Sequence, residues 1–192
     1  GNAIVTLDCS NATLGEAGVL GGVYFTIKST GSITCYIDSV ELLKSEKTET
    51  PEQEEVVTVT KGWYFETSAE GWQPKASPAD KAYNANKKAY CFVTAPDANA
   101  GFLSPNISAD ALTVDDFNAL RIQFIDGTPN ATFTLAAHLK DTALASNVYT
   151  FEECLVTLDS EGSATVTLDC SNATLGNAGV LGGVYFTIMS TD

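Results

Sequence analysis

Apolar and polar residues alternate along much of the chain with the period of two that a half-buried β-strand requires. In residues 119–125, Leu120, Ile122 and Phe124 fall on one side and Arg121 and Gln123 on the other. In residues 132–140, Phe133, Leu135, Ala137 and Leu139 oppose Thr132, Thr134, Ala136 and His138; in 184–188, Val184, Phe186 and Ile188 oppose Tyr185 and Thr187. Gly, Asn, Asp, Ser and Pro punctuate these runs. The pattern predicts strands over Val5–Leu7, Gly22–Ile27, Ile33–Leu42, Gly62–Glu66, Lys88–Ala95, Ala119–Ile125, Thr132–Leu139, Val148–Leu158, Ala164–Leu168 and Gly183–Ile188. Ser160-Glu161-Gly162 reads as a tight hairpin turn between two of them. Helical signal is poor; one short stretch, Ala109–Phe117, fits a turn or two of helix, with Asp110 and Asp115 as candidate caps. Many short strands at this spacing predict an all-β fold, an antiparallel β-sandwich or jelly roll.

A long internal repeat sets the organisation. Residues 5–30 recur as residues 166–191, 161 positions on, and the copies differ only at Glu16/Asn177 and Lys28/Met189. That period is a whole domain rather than a solenoid unit. The chain reads as an excerpt of a longer protein built from near-identical tandem domains. Lys44–Glu55 is charged, contains Pro51 and lacks apolar periodicity, so residues 44–60 read as an acidic linker. Residues 1–43 are then the end of one copy, and 61–192 a sandwich domain that lacks its own final strand.

Charge narrows the partners. The 24 acidic and 10 basic residues give a net charge of −14, which repels nucleic acid and anionic membranes and suits hard cations. No apolar run is long enough for a membrane helix, and Gly1-Asn2-Ala3 does not begin a signal peptide. Cys35, Cys91 and Cys154 sit inside apolar runs and read as small buried hydrophobes, with disulfides as the alternative; Cys9 and Cys170 are one repeat position, which leaves an even count of four per period. The lone histidine, His138, and the lack of a C-x-x-C argue against structural zinc. Asn11, Asn106, Asn130 and Asn172 stand in glycosylation sequons. No phosphate loop, G-x-S-x-G or Ser–His arrangement marks an enzyme.

Several segments resemble carbohydrate-binding modules of the galactose-binding-like jelly-roll type. Phe65-Glu66, followed by Gly71-Trp72, resembles that family's opening strand; Tyr36-Ile37-Asp38-Ser39-Val40-Glu41-Leu42 is similar to its last. The resemblance implies a sandwich and a structural Ca²⁺ stapling first strand to last, with Glu66 and Asp38 as the matching ligands. Asp38, however, precedes Glu66 in this chain. Residues 33–43 could therefore complete this sandwich from in front, complete a neighbouring chain, or leave 166–192 for another molecule.

Sugar hydroxyls need paired donors and acceptors, and sugar ring faces need aromatic platforms. One open sheet face carrying Arg121, Gln123, Thr134, His138 and Tyr185 supplies both, with Tyr90 as a further candidate contact. Trp63 and Trp72 read as core. The expected function is a non-catalytic, extracellular polysaccharide-binding module, repeated for avidity. The alternative is a structural or adhesive surface repeat without a sugar site, whose copies associate head to tail by strand exchange.

Overall fold

Ile33, Cys35 and Ile37 occupy odd positions, whereas Val40 and Leu42 occupy even ones. A regular strand cannot bury all five on one face. The computed structural model, which describes residues 33–46, 56–75, 80–93 and 99–190, resolves this conflict with a β-bulge. Strand β1 (Thr34–Glu46) pairs with β7 (Ala119–Ile125), and its register steps from Ile37 opposite Phe124 to Ser39 opposite Gln123. Asp38 is the extra residue. All five apolar side chains are consequently buried.

The remaining strands are β2 (Val56–Trp63), β3 (Gln73–Lys75), β4 (Asp80–Asn84), β5 (Ala89–Val93), β6 (Asn99–Leu103), β8 (Thr132–Lys140), β9 (Asn147–Thr150), β10 (Cys154–Thr157), β11 (Ala164–Asp169) and β12 (Gly183–Ser190). They form two packed antiparallel sheets, compatible with a jelly roll. The first runs β11-β7-β1-β5-β4, with β2 also paired to β1. The second runs β10-β8-β12-β6-β3, with β9 also paired to β8. Thus the Y-I-D strand, β1, lies inside the first sheet of this same chain, between β7 on one side and β2 and β5 on the other.

Aromatic rings join the sheets. Phe92 and Phe124 of the first sheet meet Phe133 of the second at centroid distances of 6.3 and 5.1 Å. Trp72 packs against Trp63, Phe65 and Phe186. Trp63 and Trp72 are core residues, as the face Trp63 shares with Phe65 and the G-W position of Trp72 suggest. Edge-to-face geometry recurs through this cluster and adds to the area it buries. The four described cysteines are free thiols; burial pushes Cys35 and Cys170 up to about 12.

Some local expectations are corrected. Ser160-Glu161-Gly162 is a tight turn but not a hairpin, because β10 joins the second sheet and β11 the first. Asp159 holds the turn by accepting hydrogen bonds from the amides of Glu161 and Ser163. Residues 109–117 hold short turns and no α-helix. A 3₁₀ turn, Ser108–Asp110, is followed by a turn in which Asp116 accepts from the amide and hydroxyl of Thr113. Val148–Leu158 divides into β9 and β10, and β3, β4 and β6 were not expected. Lys44–Glu46 extends β1, and Val56–Thr60 belongs to β2. Val5–Leu7, Gly22–Ile27, Cys9 and Asn11 lie outside the described residues. Among those described, no helix is long and apolar enough to cross a membrane.

Gly162 has φ +79°, and an added Cβ would collide with the backbone of Gly127, whose amide donates to the Gly162 carbonyl at 2.8 Å. Gly162→Ala therefore combines backbone strain with a rigid clash. It should destabilise the protein by at least about 2 kcal/mol in chemical denaturation. A change below about 0.5 kcal/mol would refute this close approach of the two loops.

Candidate functional site

Strand β7 buries Leu120, Ile122 and Phe124 and turns Arg121 and Gln123 outward. Arg121 stands directly between Glu41 on β1 and Thr167 on β11. Its Nε donates to Glu41 Oε2 at 2.6 Å, and the Glu41 side chain is only 8% exposed. The Tyr64 phenol lies near Glu41; burial first, then the Glu41 carboxylate, push it above its ordinary range. The Tyr64 ring lies against Gly62, so a Cβ there would displace it.

A groove of about 740 Å³ opens beside Arg121 on this outer face. Leu43, Val57 and Ala119 give it apolar walls, while Asn118, Thr167, Asp169 and Ser171 give it polar ones. Asn118 is fixed by a two-way amide pairing with the Ser45 backbone, at 2.9 and 2.7 Å. Asp169 accepts from the Ser171 amide and hydroxyl, both at 3.0 Å. Arg121 is already paired with Glu41, and a carboxylate stands across the groove. The lining therefore offers donors and acceptors suited to neutral hydroxyl groups.

His138 and Tyr185 are direct cross-strand neighbours of β8 and β12. Their rings stack at 5.8 Å with an interplanar angle of 15°. The His138 Nδ1 hydrogen-bonds Thr150 Oγ1 at 3.1 Å. A shallow hollow of about 310 Å³ adjoins Tyr185, flanked by Lys75, Leu103, Lys140 and Leu144.

The single face expected for Arg121, Gln123, Thr134, His138 and Tyr185 is therefore two faces. Arg121 and Gln123 lie on the first sheet; Thr134, His138 and Tyr185 lie on the second, on the opposite side of the sandwich. Alternation tells which way a side chain points from its strand, but not which sheet the strand joins. Tyr90 is corrected too. It is 4% exposed and packs edge-on against Phe65 and Phe102, while Cys91 takes the outward side. Tyr64, Asn118, Asp169 and Ser171 were not singled out by the sequence. Tyr64 had a readable signal, since Trp63 and Phe65 on either side face inward. The other three lie at strand ends, where no periodicity points to a groove.

Asp38 and Glu66 come within electrostatic reach of each other. Burial first, then the charges of Glu66 and Glu41, hold the Asp38 carboxyl above its usual range. Glu66 pairs with Lys88 at 2.7 Å, both well exposed. The described residues contain no group of three or more His, Cys, Asp or Glu side chains arranged to hold a metal. Among the sequons, the Asn106 amide donates to the Thr142 carbonyl, while Asn130 and Asn172 are exposed.

No protein-family model, curated protein or solved structure matches the chain.

Two pH effects follow. A carboxyl whose folded pKa is raised costs stability once it ionises, and that cost develops as pH rises through the folded value. In chelator, with no divalent cation present, Asp38→Asn should therefore raise Tm at pH 7, with the gain vanishing near about pH 3, where both side chains are neutral. Thermal scans at the two pH values check this; an equal gain at both would exclude the electrostatic cause. For His138, burial first and the charge of Lys140 second lower the pKa, with Glu153 opposing. Its contribution is complete above the ordinary imidazole value of about 6.5 and is lost as pH falls through the lower folded value. His138 is the only imidazole in the chain, so its NMR titration is unambiguous. A midpoint at or above the ordinary value would contradict its burial against Tyr185.

Proposed function

We propose that this chain is a non-catalytic extracellular module that binds polysaccharide, in a secreted or cell-surface protein carrying tandem copies. The groove beside Arg121 carries the reading. It is open enough for a chain to enter laterally, its floor is partly apolar, and fixed amide, hydroxyl, guanidinium and carboxylate groups surround it. Tyr64, nearly half exposed and within electrostatic reach of Glu41 and Arg121, would supply the aromatic contact for a sugar ring. Gln123 would extend the contacts along β7. Likeness to carbohydrate-binding modules in the Phe65-Glu66…Gly71-Trp72 and Tyr36–Leu42 segments supports the same reading. His138 and Tyr185 would form a separate, secondary platform.

Ca²⁺ would be structural, held by Asp38 and Glu66 with backbone carbonyls and water completing its six to eight oxygens. Burial and then the repulsion of Glu66 and Glu41 raise Asp38, and such an ion would relieve both; Lys88 now partly serves Glu66.

A structural or adhesive repeat without a sugar site is the second reading. The edge strand β2 favours it, because Val56, Val57 and Val59 are exposed in an uncharged β-branched run. Such an edge is a template for strand addition.

A glycan array with polysaccharide pull-down, run in Ca²⁺ and in chelator, separates the readings. Saturable binding is expected to weaken at least about tenfold in Arg121→Ala and Tyr64→Ala, while Tyr185→Ala retains affinity. Loss in Tyr185→Ala alone would move the site to the opposite face. No retention on any glycan, with concentration-dependent oligomers in the same samples, would replace the binding reading with the structural one. Unchanged Tm on chelation would remove the calcium.

A further inference from the structure

Residues 166–190 fill a demanding place in the sandwich. β11 pairs with β7 at one edge of the first sheet, and β12 lies between β8 and β6 inside the second. Phe186, wholly buried, stacks on Phe102 and packs against Trp72. The entry to β12 tolerates only glycine: a Cβ at Gly182 would overlap the Asp141 carbonyl, and one at Gly183 would press on Ser104 Oγ at 2.6 Å.

Residues 5–30 repeat this stretch with every buried side chain unchanged. Phe186 and Ile188 recur as Phe25 and Ile27, and Gly182 and Gly183 as Gly21 and Gly22. The two differing positions avoid the core. Asn177, Glu16 in the copy, is exposed. Met189, Lys28 in the copy, is on the opposite side of β12 from buried Ile188, where a lysine stem can lie along the sheet.

The connection also fits. β12 ends with Ser190 opposite Phe133, at the start of β8. β1 begins at Thr34, whose amide and carbonyl bond Thr128 in the loop between β7 and β8. The end of β12 and the start of β1 therefore lie at the same end of the sandwich. From Ser29, the equivalent of Ser190, to Thr34 is five residues, a reach of up to about 17 Å. The packed sheets are separated by about 10 Å.

We propose that residues 5–30 are an alternative occupant of the place held by residues 166–190, in the same chain, entering directly ahead of β1. The short connection gives the copy a high effective concentration at that place. The sandwich then has two interchangeable strand pairs for one position, and whichever is displaced becomes a free donor of strands. This does not depend on polysaccharide binding.

Phe186→Asp, Phe25→Asp and the double variant test it in the full chain by thermal unfolding, light scattering and hydrogen exchange. The two copies give peptides distinguishable by mass at the two differing positions. Phe186→Asp should stay folded and monomeric, with Tm within about 5 °C of the parent, and protection should move from residues 166–191 to 5–30. Phe25→Asp should leave the sandwich unchanged, and the double variant should unfold. Unfolding of Phe186→Asp alone, or a folded double variant, would overturn the proposal. Rescue of Phe186→Asp only as oligomers would overturn occupancy within one chain.

Discussion

β1 is the strand on which the sandwich depends. It pairs with three partners, as β8 does in the second sheet, and its inward residues form much of the first sheet's share of the core. The bulge at Asp38 lets Cys35 and Ile37 face inward together with Val40 and Leu42. Without it, one of the two pairs would face solvent. The same irregularity sets a carboxyl half inside the protein near Glu41 and Glu66, which accounts for its raised pKa. A backbone device required by packing thus generates a charged feature, and the lowered pKa expected of a salt-bridged carboxylate does not arise there.

The bulge also controls the outer face. Beyond Asp38 the outward series becomes Ser39, Glu41 and Leu43, each almost fully buried although it points away from the core. Glu41 can remain there because Arg121 engages its carboxylate. A buried carboxylate deprived of such a partner costs several kcal/mol, so this pair is structural. Leu43 supplies apolar floor to the groove. Packing inside the sandwich and chemistry outside it are therefore coupled through one strand.

Much of this was readable in the residues. The all-β class followed from period-two runs, and the inward sets of β7, β8 and β12 followed from alternation alone. Trp63 reads as core because it shares a face with Phe65, and Trp72 from its place in the Gly-Trp motif. What could not be read was the partition of strands between sheets. β10 and β11 are separated by a turn that looks like a hairpin, yet the chain crosses there from one sheet to the other. An earlier crossing, between β7 and β8, separates Arg121 from His138 and Tyr185. The short strands β3 and β4 have little apolar periodicity, since each is fixed by one paired neighbour rather than by burial of a long face.

The repeat and the groove bear on each other. Thr167, Asp169 and Ser171, which line the groove, belong to the duplicated stretch and recur as Thr6, Asp8 and Ser10. Tyr185 recurs as Tyr24. An exchange of one copy for the other would preserve the core and every groove group that this stretch supplies. The difference at Met189/Lys28 would add a positive charge to the outer face of the second sheet, away from the groove. A duplication that conserved packing alone could have let the outward positions of β11 diverge, because Thr167 and Asp169 contribute little to the core. Their retention is a constraint shared by fold and surface: Thr167 flanks Arg121 in the sheet, and Asp169 fixes the turn through Ser171. The groove would therefore have the same chemistry whichever copy were in place, while the second sheet's outer face would differ in charge.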